Sequence, residues 1–563
     1  MTHITDFFSL LIYLCISKKT RNKNQMNIKS ILPILDWLPN YNKQHFKGDL
    51  NAGITVGIML IPQGMAYAML AGLPPIYGLY AAIIPQLIYA IFGTSRQLGV
   101  GPVAMDSLLV AVTVSQFAQV ESTQYINFAI LLALMVGGIQ LLMGFLRLGV
   151  LVNFLSHPVI SGFTSAAAII IGVSQLKYLM GVDLERGQFL HDILWSALQN
   201  LGEINPYTLA IGLSGMLIII IAKKFTPSIP APLIVVIAGI LVVWGFGLDQ
   251  FGVSIVQEIP KGLPTPQVPS MVFNLDSIQK LLPSALTIAL IAFMEAIAVS
   301  KAIQARHNDY KIDPNQELIA LGMANAVGSF FQSFPGTGGF SRSAVNDQSG
   351  AKTNLAAIIS ASFVILTLLF LTPLFYYLPK AVLASIIMVA VFKLISVQDA
   401  TNLWKKGHKR DFFILVATFI ATLTIGIQKG ILAGVLLSIL GTLYDTLYPN
   451  IILNDVFLKI PKNALIVRFE EQLYFANSNY FKDKMEALLE QEITSKKDNS
   501  INYVIIDGTH IHKIDSTGEK ALDSMVELYQ ESEIPLVLVG LPSTYSKPSF
   551  PSINAAIEAN KSN

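Results

Sequence analysis

The chain has 563 residues, of which 53% are hydrophobic and only 13% charged, with a mean hydropathy of +0.56. Soluble domains carry about 25% charged residues, so a soluble core cannot hide this much apolar surface and the excess must face lipid. The formal net charge of +2 offers no footprint for nucleic acid, and the single cysteine, Cys15, excludes an intrachain disulfide and a thiolate metal cluster.

At the N-terminus, residues 7–16 are apolar, but the basic residues Lys18, Lys19, Arg21 and Lys23 follow them. A secretory signal has the reverse order and a small-residue cleavage site, so no signal peptide is expected. Met26 is an alternative start, which would make residues 1–25 an extension. Residues 50–95 then contain no charge, room for two spans of about 20 residues at 1.5 Å per residue. Leu73, Pro74 and Pro75 supply the turn between them. Uncharged stretches recur at 149–176, 319–341, 353–379, 412–428 and 430–444, and 281–300 is broken only by Glu295. Glycine and proline punctuation gives roughly twelve to fourteen spans. Lys and Arg concentrate before the first span and again at Lys405, Lys406, Lys409 and Arg410. With an even span count this places both termini on the cytoplasmic side. The expected organisation is a cytoplasmic N-terminal segment (1–45), an all-α polytopic membrane domain (46–448) and a small cytoplasmic α/β domain (449–563).

Two glycine-rich stretches interrupt the apolar pattern. Gly99, Gly101, Pro102, Val103 and Ala104 open one short apolar helix; Gly336, Gly338, Gly339, Phe340, Ser341 and Arg342 open another. They lie roughly 240 residues apart, and long spans start near Asp49 and Leu282 at a similar offset, the mark of an inverted-repeat transporter. Glycine lets the backbone approach a ligand closely, and Pro102 suits a first helical position. The free N–H groups and the positive dipole end of each helix attract an anion. Ser341 and Ser343 can add hydroxyl donors, and Arg342 a charge if it faces the site. Tight helix packing is the competing reading of these glycines.

Glu295 is the only ionisable residue between Lys280 and Lys301. A carboxylate in mid-span should face the protein interior or water, where it can carry a proton, help to bind Na⁺, or serve as a structural hydrogen-bond partner. Gln63 and Tyr67, spaced i, i+4, share one face of the first span. Asp106, early in the first short helix, and Asp347, within the second, read as readily as packing or gating residues. The tail alternates strand-like runs (464–469, 503–507, 535–539) with helical ones (478–492, 517–531). Ser516 is expected to cap the second tail helix. Asp507 and Asp515 have no companions at metal-ligand spacing, and no phosphate loop or nucleophile elbow occurs. No enzyme activity, cofactor or metal is expected.

The run from Pro62 through Gln63, Tyr67, Gly72, Pro74, Pro75 and Tyr77 to Tyr80 resembles the signature of the sulfate permease (SulP) anion transporters. Residues 93–104, 293–296 and 338–346 continue the match, and Asp507, Gly508 and residues 515–518 look like the STAS domain these transporters carry. The resemblance implies about fourteen spans in a seven-plus-seven inverted repeat with core and gate subdomains, elevator-like alternating access, and a homodimer. By motif position it makes Gln63, Tyr67, Gly101, Pro102, Val103, Ala104, Gly339, Phe340, Ser341 and Arg342 the substrate-site candidates. Glu295 matches the acid associated with cation coupling, H⁺ being favoured over Na⁺ because it is Glu. Ser516 falls where related sigma-factor antagonists are phosphorylated and is a possible regulatory position. After Pro542 the tail turns Ser/Pro-rich, and no last strand and helix are visible. The expected function is sulfate:proton symport in a cell inner membrane. Na⁺:bicarbonate symport, dicarboxylate transport and an uncoupled channel are alternatives on the same fold. A membrane-tethered STAS regulator is the alternative from another class.

Overall fold

The computed structural model describes residues 31–150, 156–182, 190–225, 230–268, 274–307, 309–453, 464–495, 503–531, 534–543 and 545–561. The questions raised by Met26 and Cys15 lie outside the described residues. The chain divides into two compact units, one ending at Val435 and the other beginning at Leu436.

The first half carries α1 (Lys43–Ala71), α2 (Pro75–Phe92), α3 (Ala104–Val114), α4 (Thr123–Phe145), α5 (His157–Met180), α6 (Pro206–Phe225) and α7 (Ala231–Phe246), with shorter helices at Ile34–Trp37 and Leu190–Gln199 besides. Seven more follow: α8 (Leu275–Gln304), α9 (Pro314–Ser329), α10 (Phe340–Gln348), α11 (Leu355–Phe375), α12 (Lys380–Val391), α13 (Lys409–Ile425) and α14 (Ile427–Leu447). By length and composition, eight of the described segments can cross a membrane alone. The third member of each half cannot: α3 has 11 residues and α10 has 9, roughly half the bilayer core at 1.5 Å per residue.

The two halves are built alike. α1 and α8 run 29 and 30 residues, each with a proline inside (Pro62, Pro283) and an asparagine N-cap (Asn42, Asn274). These caps start both helices earlier than the hydropathy pattern suggests, so Asp49 lies inside α1. Its oxygens accept the Lys352 N–H (2.6 Å), the Thr353 N–H (2.9 Å) and the Thr353 hydroxyl (2.6 Å), tying α1 to the approach to α11. Glu317 on α9 does the same for the end of α2, accepting from Tyr89 (2.7 Å), the Thr94 N–H and hydroxyl (2.7 and 2.6 Å) and the Ser95 N–H (3.2 Å).

Between helices in lipid the hydrophobic effect drives nothing together, so close packing relies on small residues. On α4, a Cβ at Gly137 would lie 2.4 Å from the Ala326 nitrogen and 2.7 Å from the Gly322 oxygen of α9. On α2, a Cβ at Gly78 would strike the Gly64 carbonyl of α1 at 1.9 Å.

The second unit carries a four-stranded sheet in the order β1–β2–β3–β4: β1 (Ile451–Leu453), β2 (Ala464–Phe469), β3 (Tyr503–Asp507) and β4 (Leu536–Val539). β2, β3 and β4 pair in parallel and β1 is an antiparallel edge. Helices α15 (Ser478–Ser495) and α16 (Ser516–Glu531) pack through Phe481, Met485, Leu522 and Met525 on one face. α17 (Ile553–Lys561) packs Ala556 and Ile557 on the other. The closing helix therefore exists despite the Ser/Pro-rich approach, and Phe550 forms a single bridge to Val539 in place of a last full strand. The cap of α16 is also not the expected one. Asp515 accepts the N–H groups of Thr517 (3.0 Å) and Gly518 (2.8 Å), and Ser516 is already the first helical residue. A carboxylate one residue earlier reaches both free amides and takes the cap.

Asp507 ends β3, buried. It accepts from the Arg468 guanidinium (2.7 Å) and from the Thr509 N–H (3.1 Å) and hydroxyl (2.7 Å). Burial alone would push its carboxyl up, but the Thr509 and Arg468 donors outweigh it and hold it below the usual carboxylate value.

Gly137→Leu is expected to prevent α4 and α9 from closing, with loss of the monodisperse peak in detergent size-exclusion chromatography. Asp507→Asn should cost the second unit about 2 kcal/mol at neutral pH, the scale of hydrogen bonds to a charged group. Because the folded carboxyl is depressed, that stabilisation is present above about pH 4 and is lost as pH falls through the folded value. Amide exchange of 503–507 in the intact protein should therefore differ between variant and wild type at pH 7 and converge on acidification.

Candidate functional site

Two short strands join the repeat halves. Val100–Gly101 pairs antiparallel with Thr337–Gly338, Val100 opposite Gly338 and Gly101 opposite Thr337. The Gly339 N–H donates to the Gly99 carbonyl (3.0 Å), and the Gly99 N–H donates to the Ser343 hydroxyl (2.9 Å). This ladder holds Val103 extended (φ −131°, ψ 155°), so α3 begins only at Ala104. Pro102 consequently precedes the helix and does not occupy its first position. α10 begins at Phe340 with Gly339 as N-cap.

Neither short helix has a side-chain cap. The starts of α1, α4, α8 and α9 are capped, by Asn42, Ser122, Asn274 and Asp313, whereas α5, α7, α11, α12 and α13 lack a side-chain cap as the two short helices do. The first-turn N–H groups of α3 and α10 thus remain free of both intrahelical and capping acceptors, and the dipole makes each end electropositive.

Arg342 locks the pair together. It is 2% exposed; its Nε donates to the Gly99 carbonyl and its Nη1 to the Pro102 carbonyl, each at 3.1 Å. Nη2 has no hydrogen-bond partner. The guanidinium fills the space beside Gly99, Gly101 and Gly339, where a Cβ on Gly99 would lie 2.9 Å from its Cγ. Gly101 also has φ +153°, a conformation that side chains disfavour.

A cavity of about 200 Å³ opens at the two helix starts. It is smaller than the roughly 300–1,000 Å³ of sites for organic ligands. Gln63 and Tyr67 line it from α1, Val103 and Ala104 from the start of α3, Glu295 from α8, and Gly339, Phe340, Ser341 and Arg342 from the start of α10. Of the residues expected at the site, Gly101 and Pro102 are the two that do not line the cavity; they sit behind it, where Arg342 grips the Pro102 carbonyl. Ser343, offered as a donor, faces back to the Gly339 carbonyl (2.8 Å). Asp347 pairs with His307 (2.6 Å) and Arg306 (3.1 Å), away from the cavity lining. Ser516 belongs to the second unit. A larger depression of about 1,050 Å³ is lined by Lys177 and Lys380 but by none of the groups gathered here.

A profile of the Sulfate permease family matches residues 46–418, more than half the chain. The chain belongs to the sulfate permease family. A STAS domain profile matches residues 456–547. This family member is 39% identical to sulfate transporter 4.1, chloroplastic, of Arabidopsis thaliana over 546 residues, covering 91% of this chain and 78% of the relative. It is 35% identical to high affinity sulfate transporter 2 of Stylosanthes hamata over 542 residues, covering 91% and 81%. Among solved structures, the murine Solute Carrier 26 family member A9 anion transporter in its inward-facing state superposes with a TM-score of 0.86 at 26% identity, covering 98% of both chains. The transmembrane domain of the cyanobacterial bicarbonate transporter BicA shares the fold, with a TM-score of 0.60 at 24% identity over 71% of this chain and 98% of its own. The names of these relatives describe transport.

The sequence did not point to the wall opposite the helix starts. Ile160, Phe163 and Thr164 of α5, with Val391 and Leu394 at the end of α12, close the cavity there. They are ordinary residues of apolar spans, and nothing in their pattern separates a cavity wall from a lipid face.

Arg342→Lys keeps the charge but loses the planar fork that reaches two carbonyls at once. It is expected to lower the stability of the sulfate permease unit by about 2 kcal/mol, read as a lower melting temperature in detergent.

Proposed function

We propose that this chain is a secondary active transporter of sulfate coupled to protons. The observation that carries the reading is the pair of uncapped helix starts meeting at one small cavity that also holds Glu295. Free amides from two directions suit a small oxyanion and read its charge and size without a dedicated salt bridge. Gln63, Tyr67 and the Ser341 hydroxyl add donors around it. The names of the plant relatives favour sulfate among the anions such a site accepts.

Glu295 is the group through which a proton enters the cycle. It lines the same cavity as the helix starts, so its charge state and the bound anion sense each other directly. Protonation removes a negative charge beside the anion, and release of the anion favours release of the proton. Arg342, within Coulombic reach of Glu295, sets the electrostatic balance.

Alternating access follows from which elements are tied. The strand ladder and Arg342 bind α3 and α10 into one body with the cavity at its edge. The opposing wall from α5 and α12 is apolar except for Thr164, whose hydroxyl donates within α5 to the Ile160 carbonyl, and makes no hydrogen bond to the helix starts among the described residues. The tied body slides along that wall, elevator-like, and carries the anion with it. The distribution of Lys and Arg favours a cytoplasmic side for both termini and the STAS segment, in a cell inner membrane, and a homodimer is the working unit of this reading.

Proteoliposomes with an inward proton gradient are expected to accumulate labelled sulfate above equilibrium, with competition by selenate but not by bicarbonate. Uptake of bicarbonate that requires Na⁺, with none of sulfate, overturns the substrate and the coupling ion together. Sulfate flux that never exceeds equilibrium marks a channel. Glu295→Gln is expected to reduce proton-driven accumulation at least about tenfold, a loss of one tenfold step per 1.4 kcal/mol of coupling, while leaving the detergent elution profile unchanged. Normal gradient-driven accumulation in that variant would remove Glu295 from the coupling role.

A further inference from the structure

Four acidic side chains among the described residues are at most 1% exposed: Asp49, Asp106, Glu317 and Asp507. Three are saturated by the fold. Asp49 holds the approach to α11, Glu317 holds the end of α2, and Asp507 pairs with Arg468. Asp106 differs from all of them, because neither carboxylate oxygen has a hydrogen-bond partner. A buried carboxylate without donors is costly to keep ionised, so it takes up a proton or a cation readily.

Its position says which process that proton serves. Asp106 lies in the first turn of α3, next in sequence to Met105, which lines the cavity. α3 packs against α1, α4, α5 and α8. From α8 the charge that acts on Asp106 is Glu295. From α1 the ionisable group at this cluster is Tyr67, which senses Arg342 and Glu295. α4 has no acidic or basic side chain, and α5 has them only towards its ends, at His157 and Lys177. Glu295 is therefore the charged neighbour of Asp106, and Glu295 in turn is within Coulombic reach of Arg342 and Tyr67.

We propose that Asp106 is a second proton-carrying carboxylate beside Glu295, so that two protons cross with each divalent anion. The inference rests on the proton-coupled reading of Glu295 above. Charge balance supports it. With Arg342 charged and both carboxylates ionised, the empty site carries one net negative charge. A divalent anion bound beside two neutral carboxylic acids and the same arginine again gives one net negative charge. The loaded and empty bodies then cross the same membrane potential with the same charge, and the field favours neither leg. One proton alone would leave the loaded body more negative than the empty one. Each proton comes from water on the entry side, forms one O–H bond on a carboxylate, and returns to water on the exit side.

The test counts protons. Purified full-length protein in weakly buffered detergent is titrated with sulfate, binding is followed calorimetrically, and proton uptake is read with a pH indicator. Two protons per bound sulfate are expected for wild type, two for D106E, and one for D106N or D106S, whichever is recovered folded. A merely structural role for Asp106 would lower affinity or yield but leave the count unchanged. One proton per sulfate in wild type, or two retained in D106N or D106S, overturns the proposal while Glu295 coupling stands. No proton uptake in wild type, with binding that requires Na⁺, removes the proton-coupled reading itself and this proposal with it.

Discussion

A helix cannot stop halfway through a bilayer unless its backbone groups find partners inside the protein. This chain stops two helices there, and the site follows from how the stops are satisfied. The strand ladder at 100–101 and 337–338 uses the backbone groups just before each helix. Arg342 gives the Gly99 carbonyl a second donor and takes the Pro102 carbonyl. What remains are the first-turn amides of α3 and α10, which no side chain caps. The glycines are required because the guanidinium occupies the volume their side chains would need.

Buried charge in the membrane unit divides by whether the fold uses it. Asp49 and Glu317 each gather several donors from a neighbouring segment and serve as fasteners between spans. Glu295 and Arg342 line the cavity, Asp106 lies beside the lining residue Met105, and Asp106 and one nitrogen of Arg342 are left without hydrogen bonds. A fastener is fixed once its donors are in place. Groups with spare capacity can change protonation state or accept a ligand, and these three are placed where an anion would feel each change.

Much of this was legible in the sequence because interruption and isolation are strong signals in an apolar chain. The two glycine-rich starts stand out among lipid-facing residues, and Glu295 stands out as the lone charge in its span. The second unit was legible where strands alternate with helices. Its last helix was not, because Ser and Pro between 542 and 552 obscure the short apolar face that Ala556 and Ile557 present. The cap of α16 was misplaced by one residue because Asp515 and Ser516 are both good caps, and only geometry chooses between them. The α5 and α12 wall was illegible for a deeper reason: Ile160, Phe163 and Leu394 satisfy a lipid face and a cavity wall equally well. Asp106 was visible but ambiguous, since saturation by neighbours cannot be read from composition.

The repeat also explains why the site can be directional although its scaffold is symmetric. Gln63 lies twenty residues past the start of α1, and Glu295 twenty residues past the start of α8. Asp106 is the third residue of α3, and Arg342 the third residue of α10. Equivalent places thus hold an amide opposite a carboxylate, and a carboxylate opposite a guanidinium. A symmetric backbone supplies two similar helix starts, which on the proposed reading would allow two equivalent positions of a moving body. If the side chains were also equivalent, the anion would gain nothing from any coupling ion. The titratable groups are instead placed unequally, with Glu295 on α8, Asp106 on α3 and the fixed positive charge of Arg342 on α10. On the proposed reading, the backbone repeat would provide the two-sided access, and the departures from it the coupling.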